Sequence, residues 1–100
     1  SKDADQFLSE QSVILNNTEW VQYDFESLDN KKHRLIIKAA ALKDEVKATI
    51  WINKKKLKFT TNNTAFSEKE AGYFFVKKGS NTIKIQVRKN QLKLDWLRLD

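Results

Sequence analysis

The sequence predicts an all-β protein, a jelly-roll-like β-sandwich of two antiparallel sheets, and three observations carry that expectation. Apolar and polar residues alternate with period two over several short segments, as half-buried strands require. β-Branched and aromatic residues, among them Ile36, Ile37, Thr49, Ile50, Trp51, Ile52, Ile83, Ile85 and Val87, concentrate in those same segments. Clusters of Asn, Asp, Ser, Lys and Gly punctuate the chain between them, and many short strands at this spacing suit a sandwich or jelly roll.

The elements follow in order. Over residues 20–25, Val21, Tyr23 and Phe25 share one face; over 33–40, Leu35, Ile37 and Ala39 do. Over 46–53, Ala48, Ile50 and Ile52 alternate with Lys47, Thr49 and Trp51. Over 81–87, Ile83, Ile85 and Val87 alternate with Thr82, Lys84 and Gln86. Over 92–99, strict alternation sets Leu97 and Leu99 against Leu92, Leu94 and Trp96. Shorter strands are expected at 57–60 and 73–76. Turns fall at Leu28-Asp29-Asn30-Lys31, Lys43-Asp44-Glu45, Asn53-Lys54-Lys55, Lys78-Gly79-Ser80-Asn81 and Lys89-Asn90. Ser67-Glu68-Lys69-Glu70 has the form of a helix capping box, but no apolar helical period follows, so a loop or single turn is expected there. Ala39-Ala40-Ala41-Leu42 favours helix locally and is too short to outweigh the alternation before it. The expected core is Val21, Tyr23, Phe25, Leu35, Ile37, Ile50, Ile52, Ile83, Ile85, Val87, Leu97 and Leu99.

One hundred residues make one domain, 1–100, and 40% hydrophobic content is enough for it to fold. With no Pro and two Gly, the turns must rest on residues that tolerate left-handed backbone or bond locally. The absence of Cys excludes disulfide and thiol chemistry. No apolar run reaches membrane-span length, and the opening Ser1-Lys2 reads as the edge of a domain excised from a larger protein. The net charge of +6 is dispersed, with one dense run at Lys54-Lys55-Lys56 and Lys58. A basic run can be a nucleic-acid surface or a solvated hairpin that keeps a sheet edge from aggregating. No recognition-helix pattern, zinc-finger spacing or RNA-binding aromatic motif accompanies it, so no nucleic-acid partner is expected.

Catalytic chemistry is largely excluded. The single histidine, His33, cannot form a zinc cluster, and it sits inside an expected strand. There is no Gly-rich phosphate loop. The carboxylates gather in turns and at the two ends rather than as a pair that could hydrolyse a glycosidic bond.

Five segments, in order, resemble the strands of family 6 and family 35 carbohydrate-binding modules. Glu19-Trp20-Val21-Gln22-Tyr23-Asp24-Phe25 is similar to their Asp-Trp-Val-x-Tyr-x-Val strand. His33-Arg34-Leu35-Ile36-Ile37-Lys38-Ala39-Ala40 is similar to Tyr-x-Leu-x-Val-Arg-x-Ala. The strand from Val46 ends in an Asn-Gly-like turn, here Asn53-Lys54. Val76-Lys77-Lys78-Gly79-Ser80-Asn81-Thr82-Ile83-Lys84-Ile85 is similar to the Leu-x-x-Gly-x-Asn-Thr-Ile-x-Leu segment. Leu92-Lys93-Leu94-Asp95-Trp96-Leu97-Arg98-Leu99 resembles the closing Asn-Leu-Asp-Trp-Ile-x-Leu strand. The match spans residues 13–100.

The resemblance implies a non-catalytic jelly-roll module that targets an attached, exported glycoside hydrolase to polysaccharide. It implies a bacterial protein that is secreted, periplasmic or at the cell surface, and a monomer whose partners are its own catalytic domain and a polysaccharide or oligosaccharide. The alternative is a structural or interdomain module that has lost the sugar. The resemblance also implies a structural calcium, with Asp3, Asp5 and Asp95 at the ligand positions; hard carboxylate oxygens suit that ion. At the family's loop-end sugar site, Ile14 falls where an aromatic is usual and Lys93 where an Asn is usual, while the second aromatic falls on Phe66 or Tyr73. Asn16, Asn17, Asn90 and Lys93 remain as polar candidates for that site, expected to prefer an acidic sugar. Trp51 and Trp96 are the other candidates, as a two-ring platform if their strands are neighbours, and Trp20 is expected to be structural.

Overall fold

The structure is a computed structural model that describes residues 6–9 and 12–100. Nine strands form it: β1 (Gln6–Ser9), β2 (Val13–Leu15), β3 (Trp20–Ser27), β4 (Lys31–Ala41), β5 (Val46–Ile52), β6 (Lys55–Thr61), β7 (Ser67–Val76), β8 (Gly79–Lys89) and β9 (Leu92–Leu99). No described residue is helical, and no helix is long and apolar enough to cross a membrane. One sheet has the order β1-β9-β4-β7, with β2 also on β9; the other has the order β3-β8-β5-β6. Every pairing is antiparallel. The two sheets pack as a sandwich around one apolar core.

Alternation explains most of this arrangement. Leu35, Ile37 and Ala39 of β4, Ile50 and Ile52 of β5, and Ile83, Ile85 and Val87 of β8 are all buried between the sheets. Val21 and Tyr23 of β3 are half-buried, because β3 lies at the edge of its sheet and covers the core from one side only.

In three places the strands depart from the expected pattern. β7 begins at Ser67, so the segment read as a loop or single turn is extended; its charged residues face water from an edge strand, where they need no apolar partner. Strand β4 runs through Ala39, Ala40 and Ala41 as the alternation requires, but Ala40, on the outer face, is buried as fully as its neighbours. In β9, Leu92, Leu94, Leu97 and Leu99 all point into the core, against the expected opposition of the two pairs. A β-bulge causes this. Lys38 of β4 pairs with Trp96 while Ala39 pairs with Leu94, so Asp95 is an extra residue and the phase shifts by one.

The turns rest on side-chain amides. Asn81 is 1% exposed, and all four of its hydrogen-bonding positions are used. Its Nδ2 donates to the carbonyl oxygens of Lys77 (2.8 Å) and Gly79 (3.0 Å). Its Oδ1 accepts from the Lys77 amide (3.1 Å) and from Asn53 Nδ2 (3.0 Å). One buried side chain thus ties the β7–β8 turn to the β5–β6 hairpin, where Asn53 adopts a φ of 54°. Gly72 sits at the bulge between β4 and β7 with a φ of 148°, and a Cβ there would lie 2.5 Å from Leu57 Cδ1. Glycine alone meets both conditions without strain.

Replacing Ile85 by alanine should lower the unfolding free energy by about 2–5 kcal/mol, the usual range for a fully buried isoleucine. Urea denaturation measures it, and a loss under 1 kcal/mol would show that the core is not packed as described. Asn81→Ala should cost about 1–3 kcal/mol, because it strands buried backbone groups of the β7–β8 turn without partners. Asn81→Asp should not restore the loss, since a carboxylate cannot donate to the Lys77 and Gly79 carbonyls.

Candidate functional site

Strand β2 pairs with the first half of β9 so that Ile14 lies opposite Lys93, both on the outer face of the five-stranded sheet. Lys93 in turn pairs with Ala40 of β4. The loop between β6 and β7 is tied down beside them: the Ala41 amide donates to the Asn63 carbonyl (2.8 Å), and the Ala65 amide donates to Asn63 Oδ1 (3.0 Å). That loop presents Phe66, 45% exposed, toward Ile14, 54% exposed. Ser12, Val13, Ile14, Phe66 and Lys93 together line an open cleft of about 650 Å³. It offers one aromatic ring, one aliphatic wall and one ammonium group. A second groove of about 550 Å³ runs between β2 and β3 and shares Val13 and Ile14 with the first.

The cleft brings together the three positions that the sequence resemblance singled out, Ile14, Phe66 and Lys93. Tyr73, the other aromatic considered, lies on β7 opposite Arg34 and takes no part. Asn16, Asn17 and Asn90 do not line the cleft. They occupy the adjoining turns, and two of their amides serve the backbone or a neighbour. Asn90 has a φ of 63° and donates to the Glu45 carbonyl (2.6 Å); Asn16 accepts a bond from Gln91. Asn17 is exposed in the same turn as Asn16.

The two-tryptophan platform does not form. Trp51 is on β5 of the four-stranded sheet and Trp96 on β9 of the five-stranded sheet, so the rings face away from each other on opposite sides of the sandwich. Trp96 packs instead beside its own neighbour Arg98, 5.0 Å from the ring centre. Trp20, expected to be structural, is 52% exposed on the outer face of the four-stranded sheet. The signal was present: if Val21, Tyr23 and Phe25 face inward, Trp20 must face outward. Its relation to Trp51 across one intervening strand depends on a sheet order that alternation does not encode. His33 is a half-buried strand residue whose Nδ1 lies 3.1 Å from the Asp100 carbonyl oxygen.

Two arginines of the five-stranded sheet are ion-paired. Arg34 meets Asp100 at 2.9 Å and Glu70 at 3.7 Å; Arg98 meets Asp100 at 2.6 Å and Glu68 at 3.8 Å. Hydrogen bonds from Arg98 and then Arg34 hold the Asp100 carboxyl below the usual aspartate range, and the Asp100 bond raises Arg34. Asp95, on the bulge, accepts from Ser12 Oγ (2.8 Å) and lies 3.5 Å from Lys38 Nζ. Asp3 and Asp5 lie outside the described residues. Among the described residues no three His, Cys, Asp or Glu side chains gather as a metal site. Of the three residues expected to hold calcium, Asp95 alone lies among the described residues, and Lys38 stands beside it.

No family model matches the chain, and no curated protein matches it. Solved structures do. A family 36 carbohydrate-binding module of a multidomain xylanase, from the hindgut metagenome of Trinervitermes trinervoides, is 13% identical with a TM-score of 0.80; the match covers 97% of each chain. A family 36 module in complex with calcium and xylotriose is 10% identical with a TM-score of 0.76, over 98% of this chain and all of that one. A Podospora anserina β-1,4-mannanase of glycoside hydrolase family 26, carrying a family 35 module, is 15% identical with a TM-score of 0.72. That match takes in 91% of this chain but only 28% of the mannanase. The chain therefore has the β-sandwich fold of carbohydrate-binding modules of the family 6 and 35 type.

If Asp3 and Asp5 join Asp95 around a calcium ion, chelation should lower the melting temperature and added calcium should restore it through mass action. Unchanged melting on chelation would remove the site.

Proposed function

We propose that the chain is a non-catalytic, carbohydrate-binding-like module of an exported glycoside hydrolase, acting as a monomer outside the cytoplasm to hold its enzyme on polysaccharide. The cleft of Ile14, Phe66 and Lys93 carries this reading, since it gives a carbohydrate-binding-module fold an open, partly apolar surface at its loop end. One aromatic ring supplies a face for the apolar side of a sugar, and Lys93 supplies a donor and a positive charge. The site lacks a second ring and any freely offered amide. Neutral oligosaccharides should therefore bind it weakly, and a sugar carboxylate should be favoured.

A second reading has its own observation. Leu28, Tyr73 and Phe75 are exposed apolar side chains, which suits a module that packs against a neighbouring domain.

Titration calorimetry separates the two. Neutral xylo-oligosaccharides should bind weakly or undetectably. Uronic-acid oligosaccharides should show a modest preference of about 0–1 kcal/mol, the usual size of an exposed ion pair, which fades as salt is added. Lys93→Ala should erase that preference. Tight binding of a neutral glycan, abolished by Lys93→Ala or by changes at Asn16 and Asn17, would overturn this account of the cleft. No binding of any sugar would favour the interdomain reading.

A further inference from the structure

The four-stranded sheet carries a charge pattern that the cleft does not use. Its strands β5, β6 and β8 contain no Asp or Glu at all, while they carry Lys47, Lys55, Lys56, Lys58, Lys84, Arg88 and Lys89. Among the described residues none of these cations is ion-paired, whereas Arg34, Lys38 and Arg98 across the sandwich are. The carboxylates nearest in the fold are Asp24 and Glu26 on the edge strand β3, which accept from Thr82 and Ser80, and Glu19 and Glu45 in turns. Protection of a sheet edge explains lysines on β6, which is an edge. It does not explain Lys47, Lys84 and Arg88, which stand on the two inner strands.

Geometry gathers these charges. The pairing of β5 with β8 shifts register between Lys47 and Ala48, leaving Arg88 as the unpaired residue of a bulge. Its Nε donates to Thr49 Oγ1 (3.3 Å), and its guanidinium carbon lies 5.5 Å from the centre of the Trp51 ring. Lys47, Thr49, Lys58, Thr60 and Arg88 surround a cavity of about 180 Å³ in the sheet surface. Beside it, Lys84 Nζ lies 5.2 Å from the Trp51 ring and 4.6 Å from the Trp20 ring. The indoles stand on β3 and β5, two strands and so roughly 10 Å apart, with the ammonium between them.

We infer that this outer face binds an acidic polysaccharide, with an anionic group seated among Lys47, Lys58 and Arg88 and the flanking sugar rings lying against Trp51 and Trp20. Charge complementarity selects a polyanion. Rings spaced along an open sheet face select an extended chain over a small anion. The choice of glycan over another polyanion rests on the carbohydrate-binding reading proposed above, whereas the position of the site does not. Carboxylate and sulfate esters share the recognised chemistry.

Tryptophan fluorescence of the 100-residue chain reports this face once Trp51 is the one tryptophan left. Trp96 stands on the other sheet and Trp20 also lines the groove beside the cleft, so both are replaced by Phe for the titrations. Oligogalacturonate, a heparin-derived oligosaccharide, neutral xylo-oligosaccharide and oligothymidylate are titrated at low and high salt. The expected result is quenching by one or both acidic glycans, weakening as salt rises, and no quenching by the neutral one. The pair Lys58→Ala and Arg88→Ala should weaken binding by about tenfold or more, and Lys31→Ala, on the five-stranded sheet, should not change it. Melting temperatures of the variants confirm that they remain folded. The inference falls if neither acidic glycan quenches, if oligothymidylate binds more tightly than both, or if Lys93→Ala rather than the face variants abolishes binding. In that last case the cleft reading survives alone. If the face binds while calorimetry shows an inert cleft, this site stands and the cleft reading fails.

Discussion

Strand β9 must satisfy two demands at once, and the bulge at Asp95 is how it does so. It bonds to β4 on one side and to β1 and β2 on the other, and it contributes four leucines to the core. Without the extra residue, Leu92 and Leu94 would face water whenever Leu97 and Leu99 were buried. The bulge lies where β1 gives way to β2, the place at which an irregularity disturbs the fewest ladder bonds. It also fixes Lys93 in outward phase opposite Ile14, so the cleft and the core depend on the same departure from regularity.

The turns show a comparable economy. With no proline and two glycines, the chain relies on asparagine for tight geometry: Asn53 and Asn90 take positive φ, and Asn81 saturates a buried amide. Thr18 is the exception, a β-branched residue at φ 74°. Its amide donates to the Val87 carbonyl (2.9 Å), and its carbonyl accepts from Gln86 (3.0 Å). Those bonds hold the chain in an unfavourable conformation just ahead of Trp20.

How much of this was legible in the sequence depended on range. Inward positions such as Ile37, Ile50 and Ile85 were readable because a period of two is local. The hairpin at Asn53-Lys54 was readable because turn chemistry is local too. The phase of Leu92 and Leu94 was not, because a bulge is decided by the partner strand. Strands β1 and β2 carry too few residues to show alternation. For the cleft, the positions Ile14, Phe66 and Lys93 came from the motif order of a resembling family, and the geometry joins them. The meeting of Lys47, Lys58 and Arg88 required both a sheet order and a register shift, neither of which is written in any one segment.

The pairing of the earliest strands with the last has a consequence for how the chain acquires its structure. Strands β1 and β2 can only dock once β9 exists, more than seventy residues later. During synthesis the five-stranded sheet lacks its inner strand β9 until that segment emerges, while β3, β5, β6 and β8 of the other sheet are already made. Closure over so long a loop is entropically slow, so folding should be late and cooperative rather than progressive. A sandwich that stays open until β9 is made remains threadable for that whole interval.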